Sequence, residues 1–418
     1  MHFLRTLLAT ILPHSLHVRL MRSYHALWAY GTALAYGFPA NKLTVIGVTG
    51  TKGKSSVSEM LFAILRHTGY PTAMAGTIRF AVNEESRPNL FKMTMPGRGF
   101  LQKFLREAVN KGATYAVLEV TSEGAVQNRH LFLSMDALIF TNLQREHIES
   151  HGGMDAYARA KFRLGEALAR SSKRPRAIVA NSDSEYAKPY LALPVETILP
   201  FGLGDATSIS YQNESVSFRY EGVSFDIPQP GEFSVRNALA AIKTAAWLGV
   251  PVEKSAEALH LLTRIPGRAE KIEEGQDFLA VVDYAHTPDS LTALYRAYGK
   301  RRKICVLGNT GGGRDTWKRP LMGAIADEHC DEVILANEDP YDEDPQAIVD
   351  AMASGMSRAP RIIMDRREAI ATALSLARPG DAVLITGKGT DPYIMEANGK
   401  RTPWSDAQVV REELKRMK

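Results

Sequence analysis

A glycine loop that carries a lysine and two serines follows an apolar stretch near the start of the chain. The text reads Val45-Ile-Gly-Val-Thr-Gly-Thr-Lys-Gly-Lys-Ser-Ser56. Gly50 and Gly53 let backbone N–H groups close around an anion, Lys54 supplies a positive charge, and Ser55 offers a hydroxyl to Mg²⁺. The spacing departs from the common G-x-x-x-x-G-K-[ST] pattern, because Val48 stands five residues before Gly53. The loop predicts a nucleotide phosphate site, with an ordinary glycine turn as the alternative.

Charged side chains near the ends of two later apolar stretches could complete such a site. Glu119 lies at the end of the stretch Tyr115–Val120, and His147 and Lys161 follow the next stretch. In open parallel sheets the carboxyl ends of strands line the ligand crevice, so a carboxylate there could reach Mg²⁺ on a nucleotide. The residue types alone leave other interpretations open: Glu119 and Lys161 as solvated charges, and His147 as a loop or core residue.

The elements that would position these residues follow the pattern of an α/β protein. Apolar residues at 57, 60, 61, 64 and 65 have helical spacing after the loop, and Gly69 is placed to end that helix. Strands alternating with helices are predicted at Leu43–Val48, Tyr115–Val120, Ala137–Thr141, Ala177–Ala180, Phe278–Asp283, Lys303–Leu307, Glu332–Ala336 and Ala382–Thr386. We therefore expect two open, mostly parallel sheets.

Two changes of pattern divide the chain. Short alternating stretches between Val195 and Pro230 predict a small antiparallel flap, and the Pro-Gly break in Arg264–Glu270 predicts a domain junction. We expect a short apolar segment at residues 1–42, a nucleotide-binding domain at 43–265 and a second α/β domain at 266–418.

The composition is that of an ordinary globular protein. Hydrophobic residues make up 45% of the 418, and 51 basic against 46 acidic residues give a charge of +5. This mild excess suits anionic substrates such as nucleotides, but no basic block indicates a nucleic-acid partner. The two cysteines, Cys305 and Cys330, are too few for a disulfide framework and are expected to be core thiols of a cytoplasmic protein.

The first 40 residues are apolar and aromatic, with short apolar runs broken by basic residues. The runs are shorter than the roughly 20 residues that span a bilayer, and no cleavage site of a signal peptide is evident. A docking helix pair is favoured. An interfacial membrane contact and a true span or signal are the alternatives.

The loop text Gly50-Thr-Lys-Gly-Lys-Ser-Ser56 resembles the ATP loop of the Mur ligase family, the ATP-dependent enzymes that add amino acids to the peptidoglycan precursor. Similar text continues along the chain, at Thr121–Arg129, Phe140–Lys161, Phe233–Asn237, Asp283–Leu291 and Gly308–Met322. The last two segments are most similar to the tripeptide-forming members. The resemblance runs from about Tyr36 to the end and implies a central P-loop ATPase-type domain followed by a C-terminal Rossmann-like domain.

The resemblance implies ATP and Mg²⁺ as cofactors. The implied ATP contacts are Gly50, Thr51, Lys52, Gly53, Lys54, Ser55, Ser56, Asn237 at the adenine, Arg268, and Asp315 at the ribose. Ser55 and Glu119 would hold one Mg²⁺, and His147 with a carbamylated Lys161 the second. A carbamate offers metal-binding oxygens where an ammonium would repel the metal. Lys54, Glu119, His147 and Lys161 are thus the implied catalytic residues.

The resemblance also implies substrate contacts. These are Thr94, Thr121, Ser122, Arg129, Arg314 on the carboxylate of the incoming amino acid, Asp339, Tyr341, Gly387 and Asp391. His286 is an active-site candidate without an assigned role. The chain departs from the family at Glu123, usually histidine, and at Ser234, usually asparagine. A plain helix start capped by Ser234 is the simpler interpretation of this segment, and it is compatible with the adenine contact of Asn237.

Two departures concern the amino acid. Where diaminopimelate-adding members have Asp-Asn-Pro-Arg and Gly-Lys-Gly-His-Glu, this chain has Glu338-Asp-Pro-Tyr341 and Gly387-Lys-Gly-Thr-Asp391. The arginine that would hold a second carboxylate is absent, and acids surround the position. We therefore predict lysine or ornithine rather than diaminopimelate. The prediction fails if these acids form only a solvated loop.

The predicted function is an ATP-dependent amide ligase of peptidoglycan synthesis, acting as a monomer on a nucleotide-linked muramoyl peptide through an acyl phosphate. Because about 40 residues cannot form the family's N-terminal UDP-binding domain, recognition of the UDP end is the weakest implication. A related ligase of the pseudomurein or folylpolyglutamate type, or a non-catalytic ATP-binding scaffold, is the alternative. The N-terminus could contact a membrane or a protein.

Overall fold

The computed structural model describes residues 14–97, 99–146, 148–212 and 214–418. These residues form two compact units. The first unit falls within Met1–Leu143, Met154–Gly202 and Ala240–Val250, and the second within Gln144–Gly153, Leu203–Leu239 and Pro251–Lys418. The division of the chain at residues 42 and 265 remains a prediction.

The first unit is built on a mixed sheet of eight strands. The strands are β1 (Thr44–Thr49), β2 (Thr72–Ala75), β3 (Arg79–Val82), β4 (Glu85–Pro88), β5 (Tyr115–Glu119), β6 (Ala137–Phe140), β7 (Ala177–Asn181) and β8 (Thr197–Phe201). Their order is β4-β3-β2-β5-β1-β6-β7-β8. Strands β2, β5, β1, β6, β7 and β8 run parallel, and β3 and β4 form an antiparallel extension.

Helices accompany this sheet because its central strands are buried on both faces. The helices of the first unit are His14–Ala35, Lys54–His67, Phe100–Asn110, Ser122–Val126, Met154–Ala169 and Lys188–Leu191, with 3₁₀ turns at Pro39–Lys42 and Glu185–Ala187. The helix Lys54–His67 buries the five apolar residues whose spacing predicted it. It ends before Gly69, whose φ of 83° closes the C-terminal turn as expected.

The second unit contains three sheets. A three-stranded antiparallel sheet is formed by β9 (Thr207–Tyr211), β10 (Val216–Tyr220) and β11 (Val223–Ile227). A six-stranded sheet has the order β12-β13-β17-β14-β15-β16, from β12 (Glu270–Ile272), β13 (Leu279–Asp283), β14 (Lys303–Leu307), β15 (Glu332–Leu335), β16 (Arg361–Ile362) and β17 (Ala382–Thr386). It is parallel except for β12. A hairpin joins β18 (Tyr393–Met395) to β19 (Arg401–Pro403).

Helices cover the six-stranded sheet and form two hydrophobic clusters with it. The helices of the second unit are Ile148–His151, Val252–Leu261, Pro288–Ala297, Lys318–His329, Pro345–Ala353, Arg366–Ser375 and Asp406–Arg416, with 3₁₀ turns at Leu203–Asp205 and Ala397–Gly399. The helix Glu232–Trp247 is crossed by the division between the units.

The predicted α/β class and the predicted strands are confirmed, with corrections at the flap and the cysteines. Thr197–Phe201, assigned to the flap, pairs in parallel with β7 as the edge strand of the main sheet. The flap itself is confirmed from Thr207 to Ile227.

The prediction of two core thiols is wrong, because buried Cys305 and Cys330 form a disulfide. Cys305 lies on β14, and Cys330 lies between the helix Lys318–His329 and the adjacent parallel strand β15, with Cα atoms 6.2 Å apart. The cysteines therefore give no argument for a reducing compartment.

Candidate active site

The glycine loop connects β1 to the helix Lys54–His67 in the predicted strand–loop–helix arrangement. Gly53 stands at the helix N-cap with φ 84°. At Gly50, φ is 149° and an added Cβ would lie 1.8 Å from the Thr141 hydroxyl, so glycine is required there. That hydroxyl donates to the carbonyl of Lys52 over 2.6 Å. The loop is therefore held against β6, with its helix N-terminus available to an anion.

Lys54 folds back over this loop. Its Nζ donates to the carbonyl of Gly50 over 2.8 Å and to that of Thr51 over 2.9 Å. Thr51 and Ser56 are buried, and the backbone N–H of Lys52 donates to the side chain of Asn142 over 2.9 Å. The positive charge is thus positioned at the loop where phosphates would bind.

Glu119 lies beside the loop because β1 and β5 pair in parallel and end at the same edge, with Val48 opposite Glu119. The residue is 2% exposed. Its Oε2 accepts hydrogen bonds from the hydroxyls of Ser55 over 3.1 Å and Thr77 over 2.8 Å, and its Oε1 accepts one from the Thr77 N–H over 2.8 Å. The interpretation of Glu119 as a solvated charge is therefore wrong. Thr77 was not predicted, because it lies in the turn before a short strand that the pattern did not reveal.

Lys161 is also buried, at 2% exposure, on the helix Met154–Ala169. Its Nζ donates to the carbonyl of Gly50 over 3.0 Å and lies 5.0 Å from the ring centroid of Tyr157. The Tyr157 hydroxyl shares a hydrogen bond of 3.0 Å with the Thr51 hydroxyl. The interpretation of Lys161 as a solvated lysine is wrong. Tyr157 is a further loop contact, and its spacing of four residues from Lys161 was the signal for it.

The predicted acceptor contacts adjoin Glu119 in the first unit. The Thr94 hydroxyl is 2.8 Å from that of Thr77. Thr121 caps the helix Ser122–Val126 by accepting from the Gly124 N–H over 3.1 Å, and Ser122 is buried. The Arg129 guanidinium donates to the Met95 carbonyl and the Gln127 side chain, and burial lowers the pKa of Arg129.

Of the two predicted histidines, His286 lies among the described residues and His147 lies outside them. In the second unit, His286 Nε2 is 2.7 Å from Glu146 Oε1 and its Nδ1 is 2.6 Å from the Tyr284 carbonyl oxygen. Acceptors therefore face both ring nitrogens of His286. The His286 carbonyl accepts from Lys318 Nζ over 3.1 Å.

The second unit brings the predicted amino-acid contacts to the carboxyl edge of its parallel sheet, where the loops after β13, β14, β15 and β17 meet. Exposed Arg314 has its guanidinium carbon 6.0 Å from the Tyr341 ring centroid. Asp315 is buried and accepts from the Glu149 N–H over 3.3 Å. The Arg268 guanidinium lies 4.7 Å from the Tyr284 ring. Asn237 is buried in the second turn of the helix Glu232–Trp247.

Ser234 lies inside the same helix, which begins at Glu232. Its hydroxyl donates to the Pro230 carbonyl over 2.7 Å. The interpretation of Ser234 as the cap of this helix is therefore wrong.

The acids around Tyr341 are mostly engaged within the protein. Asp339 accepts from buried Lys388 Nζ over 2.8 Å and from the Met395 N–H over 2.8 Å. Glu343 pairs with Arg319 over 2.7 Å. Asp342 accepts a hydrogen bond from the Asn398 N–H, and Asp344 accepts one from the Gln346 N–H. Neither a solvated loop nor an open acidic pocket describes this cluster.

Glu338 differs from these acids because only one of its two carboxylate oxygens is hydrogen-bonded. It is 2% exposed, its Oε1 accepts from the Thr310 hydroxyl over 2.8 Å, and its Oε2 is buried without a hydrogen-bond partner. A Cβ on Gly387 would lie 2.1 Å from that oxygen, so the two loops touch. Burial raises the pKa of Glu338. Asp391 lies 3.8 Å from Lys388 Nζ.

No group of three or more His, Cys, Asp or Glu side chains within the described ranges could hold a metal ion. The Ser55 and Glu119 oxygens nevertheless suit a hard cation. They lie 3.1 Å apart, and carboxylate and hydroxyl oxygens are the kind of ligand that Mg²⁺ prefers.

Two families of known domains match this chain. The Mur ligase middle domain matches residues 48–245, and the Mur ligase, glutamate ligase domain matches residues 267–389. The UDP-N-acetylmuramoyl-L-alanyl-D-glutamate–2,6-diaminopimelate ligase of Caldanaerobacter subterraneus subsp. tengcongensis is 36% identical over 396 residues, covering 91% of this chain and 80% of that relative. The UDP-N-acetylmuramyl-tripeptide synthetase of Roseiflexus sp. is 35% identical over 413 residues, with coverages of 91% and 80%.

Solved structures agree with this assignment. A UDP-N-acetylmuramoyl-L-alanyl-D-glutamate–2,6-diaminopimelate ligase superposes with a TM-score of 0.60 at 32% identity, covering 90% of this chain and 79% of the other. The folylpolyglutamate synthase of Mycobacterium tuberculosis has a TM-score of 0.71 at 16% identity, with coverages of 87% and 93%, which shows a shared fold alone. The chain belongs to the Mur ligase family, whose members are ATP-dependent, ADP-forming ligases.

Proposed function

We propose that this protein joins an amino acid to the peptide carboxylate of a UDP-N-acetylmuramoyl-dipeptide, with conversion of ATP to ADP and phosphate. The observation that carries the proposal is the buried Glu119 carboxylate, bonded to Ser55 beside the Lys54 loop, in a chain 36% identical to a ligase of that activity. This acceptor is supported by the similarity to a UDP-N-acetylmuramoyl-L-alanyl-D-glutamate–2,6-diaminopimelate ligase and to a UDP-N-acetylmuramyl-tripeptide synthetase.

The reaction has two steps. The acceptor carboxylate attacks the γ-phosphorus of ATP, which forms an acyl phosphate and releases ADP. The amine of the amino acid then attacks the acyl carbon, loses a proton, and expels phosphate as the amide forms. The protein contributes mainly positioning and charge stabilisation. Lys54 and the loop N–H groups would hold the phosphates, and Arg129 and Thr121 would hold the acceptor.

Mg²⁺ is the cofactor that these residues fit. Ser55 and Glu119 would hold one ion, with Thr77 fixing the carboxylate through two hydrogen bonds. His147 and a carbamylated Lys161 would hold the second. Bound Mg²⁺ would neutralise charge on the transferring phosphoryl group. Burial of Lys161 supports its modification, because a buried ammonium beside a metal site would oppose the metal.

For the amino acid, we propose lysine or ornithine over diaminopimelate. Arg314 would bind the α-carboxylate as a planar two-pronged donor. A second carboxylate near Arg314 would meet the Tyr341 ring where a cation would be required. Fewer acidic side chains support this preference than the sequence suggested. Asp339 is neutralised by Lys388, and Glu343 is neutralised by Arg319.

The test is phosphate release by the full chain with ATP, Mg²⁺ and UDP-N-acetylmuramoyl-L-alanyl-D-glutamate, with lysine, ornithine or diaminopimelate added singly. We expect an amide product, identified by mass, that disappears in Lys54→Ala and persists in the control Lys103→Ala, an exposed helix position. Folded protein that binds ATP but makes no amide with any of the three would contradict the proposal.

A further inference from the structure

In the helix His14–Ala35, the side chains described are those of residues 20, 21 and 23–35, and they are packed in the opposite sense to those of an ordinary surface helix. Towards the protein the helix presents small side chains: Ala33 is fully buried, and Thr32 lies so close to Gly99 that a Cβ there would come within 2.3 Å of the Thr32 methyl. A surface helix normally buries its large apolar residues and exposes polar ones. Here the large apolar residues are outside, at 37% to 70% exposure: Leu20, Tyr24, Leu27, Trp28, Tyr30 and Leu34.

These six side chains lie on one side of the helix, which we call the apolar stripe; Tyr30, at the edge of the stripe, also packs against Phe132 with ring centroids 5.6 Å apart. At 3.6 residues per turn they fall within an arc of about 160° around the helix axis. Gly31 lies within the same arc, and a Cβ there would meet no atom within 4 Å. Contiguous exposed apolar surface of this kind marks an interaction site rather than scattered surface residues.

The charge of the N-terminal sequence indicates what covers the stripe. All 46 acidic residues of the chain come after residue 58, whereas Arg5, Arg19, Arg22 and Lys42 lie in the N-terminal segment. A basic segment without acids is complementary to an anionic surface. The same charge argues against a second copy of the chain, because two such helices would bring only like charges together.

We propose that the apolar stripe inserts into the interfacial region of a bilayer that contains anionic lipids. Leucine, tryptophan and tyrosine on one face, together with arginine, are the composition of helices that lie in that plane. No helix among the described residues is long and apolar enough to cross a membrane, which is consistent with lying on it. The proposal does not depend on the ligase function.

The test is flotation of the full chain with unilamellar vesicles of phosphatidylcholine alone or with 30% phosphatidylglycerol. We expect binding to the anionic vesicles, at least tenfold weaker binding to neutral ones, and loss of binding in 0.5 M salt. The double variant Leu27→Glu/Leu34→Glu should bind the anionic vesicles at least tenfold more weakly than the wild type. The matched control is Leu261→Glu, a leucine of 65% exposure on another helix, which should bind as the wild type does.

Every variant is first shown to be folded by circular dichroism and by ATP binding, which separates misfolding from loss of membrane contact. Equal binding to both vesicle types, or no binding, would overturn the proposal. Retained binding in the double variant would overturn it by assigning the contact to residues 1–13. A dimer that dissociates in the double variant without vesicle binding would assign the stripe to a second copy instead.

Discussion

The Ser55 hydroxyl donates to Glu119 Oε2 over 3.1 Å, although 64 residues separate the two in the chain. The pairing follows from the register of β1 and β5, which places Val48 opposite Glu119 and ends both strands at one edge. Thr77 supplies two more donors to the same carboxylate. Three donors hold both Glu119 oxygens in place before any ligand binds, so the carboxylate needs little rearrangement to bind a cation.

Replacing this carboxylate is expected to abolish ligation without unfolding the protein. In Glu119→Gln, the amide keeps the size of the side chain but loses the charge that would hold Mg²⁺. We expect ATP-dependent amide formation to fall at least 100-fold, with a rise in the Mg²⁺ concentration needed for half-maximal activity. Glu166→Gln, on an exposed helix position, is the control. Wild-type activity in Glu119→Gln would show that Glu119 has no metal role.

A variant of Lys161 can test whether its buried amine is carbamylated. Lys161→Ala should lose most activity, and a small carboxylic acid such as formate should restore part of it by occupying the position of the carbamate oxygens. A purely structural role, through the hydrogen bond to the Gly50 carbonyl, predicts loss without rescue, because formate offers that carbonyl no ammonium. The measurement is turnover against formate concentration, with Lys103→Ala as the variant that should not respond.

The nucleotide loop and its supporting strands could be predicted from sequence because their signals are local. Gly50 and Gly53 have the positive φ angles that the loop text implies, and five buried apolar residues have the helical spacing. Thr77 and the pairing of Asp339 with Lys388 could not be predicted, because each depends on the order of the strands in its sheet. Lys388 is 49 residues from Asp339 in sequence but follows β17, and it neutralises an acid that sequence alone left open to substrate.

The same limit applies to Cys305 and Cys330. Their spacing of 25 residues carries no pairing signal, and only the adjacency of β14 and β15 brings them together.

Tyr341 is expected to control the choice of amino acid. In Tyr341→Arg, a guanidinium near Arg314 would provide a partner for a second carboxylate. The ratio of kcat/KM for diaminopimelate to that for lysine should rise at least tenfold. Tyr211→Arg, on the exposed antiparallel sheet, should leave the ratio unchanged. Preference for diaminopimelate in the wild type would refute the proposed specificity, whatever the variant does.

The stability of the protein should fall with decreasing pH partly because of His130. Burial lowers the pKa of His130 from 6.5 to about 4 in the folded protein. Since the unfolded chain binds the proton more readily, stability is fully present above pH 6.5 and is lost as pH falls towards 4, by about 3 kcal/mol if no other group responds.

The variant His130→Gln removes the titratable imidazole. Its side-chain amide can still donate a hydrogen bond to the Gly124 carbonyl, which is hydrogen-bonded to His130 in the folded protein. Its melting temperature should therefore depend less on pH between 6.5 and 4.5 than that of the wild type. His260→Gln, at a side chain 64% exposed, should not change the slope. An unchanged slope in His130→Gln would mean that His130 is solvated in the folded state, since only burial makes its neutral form the stable one.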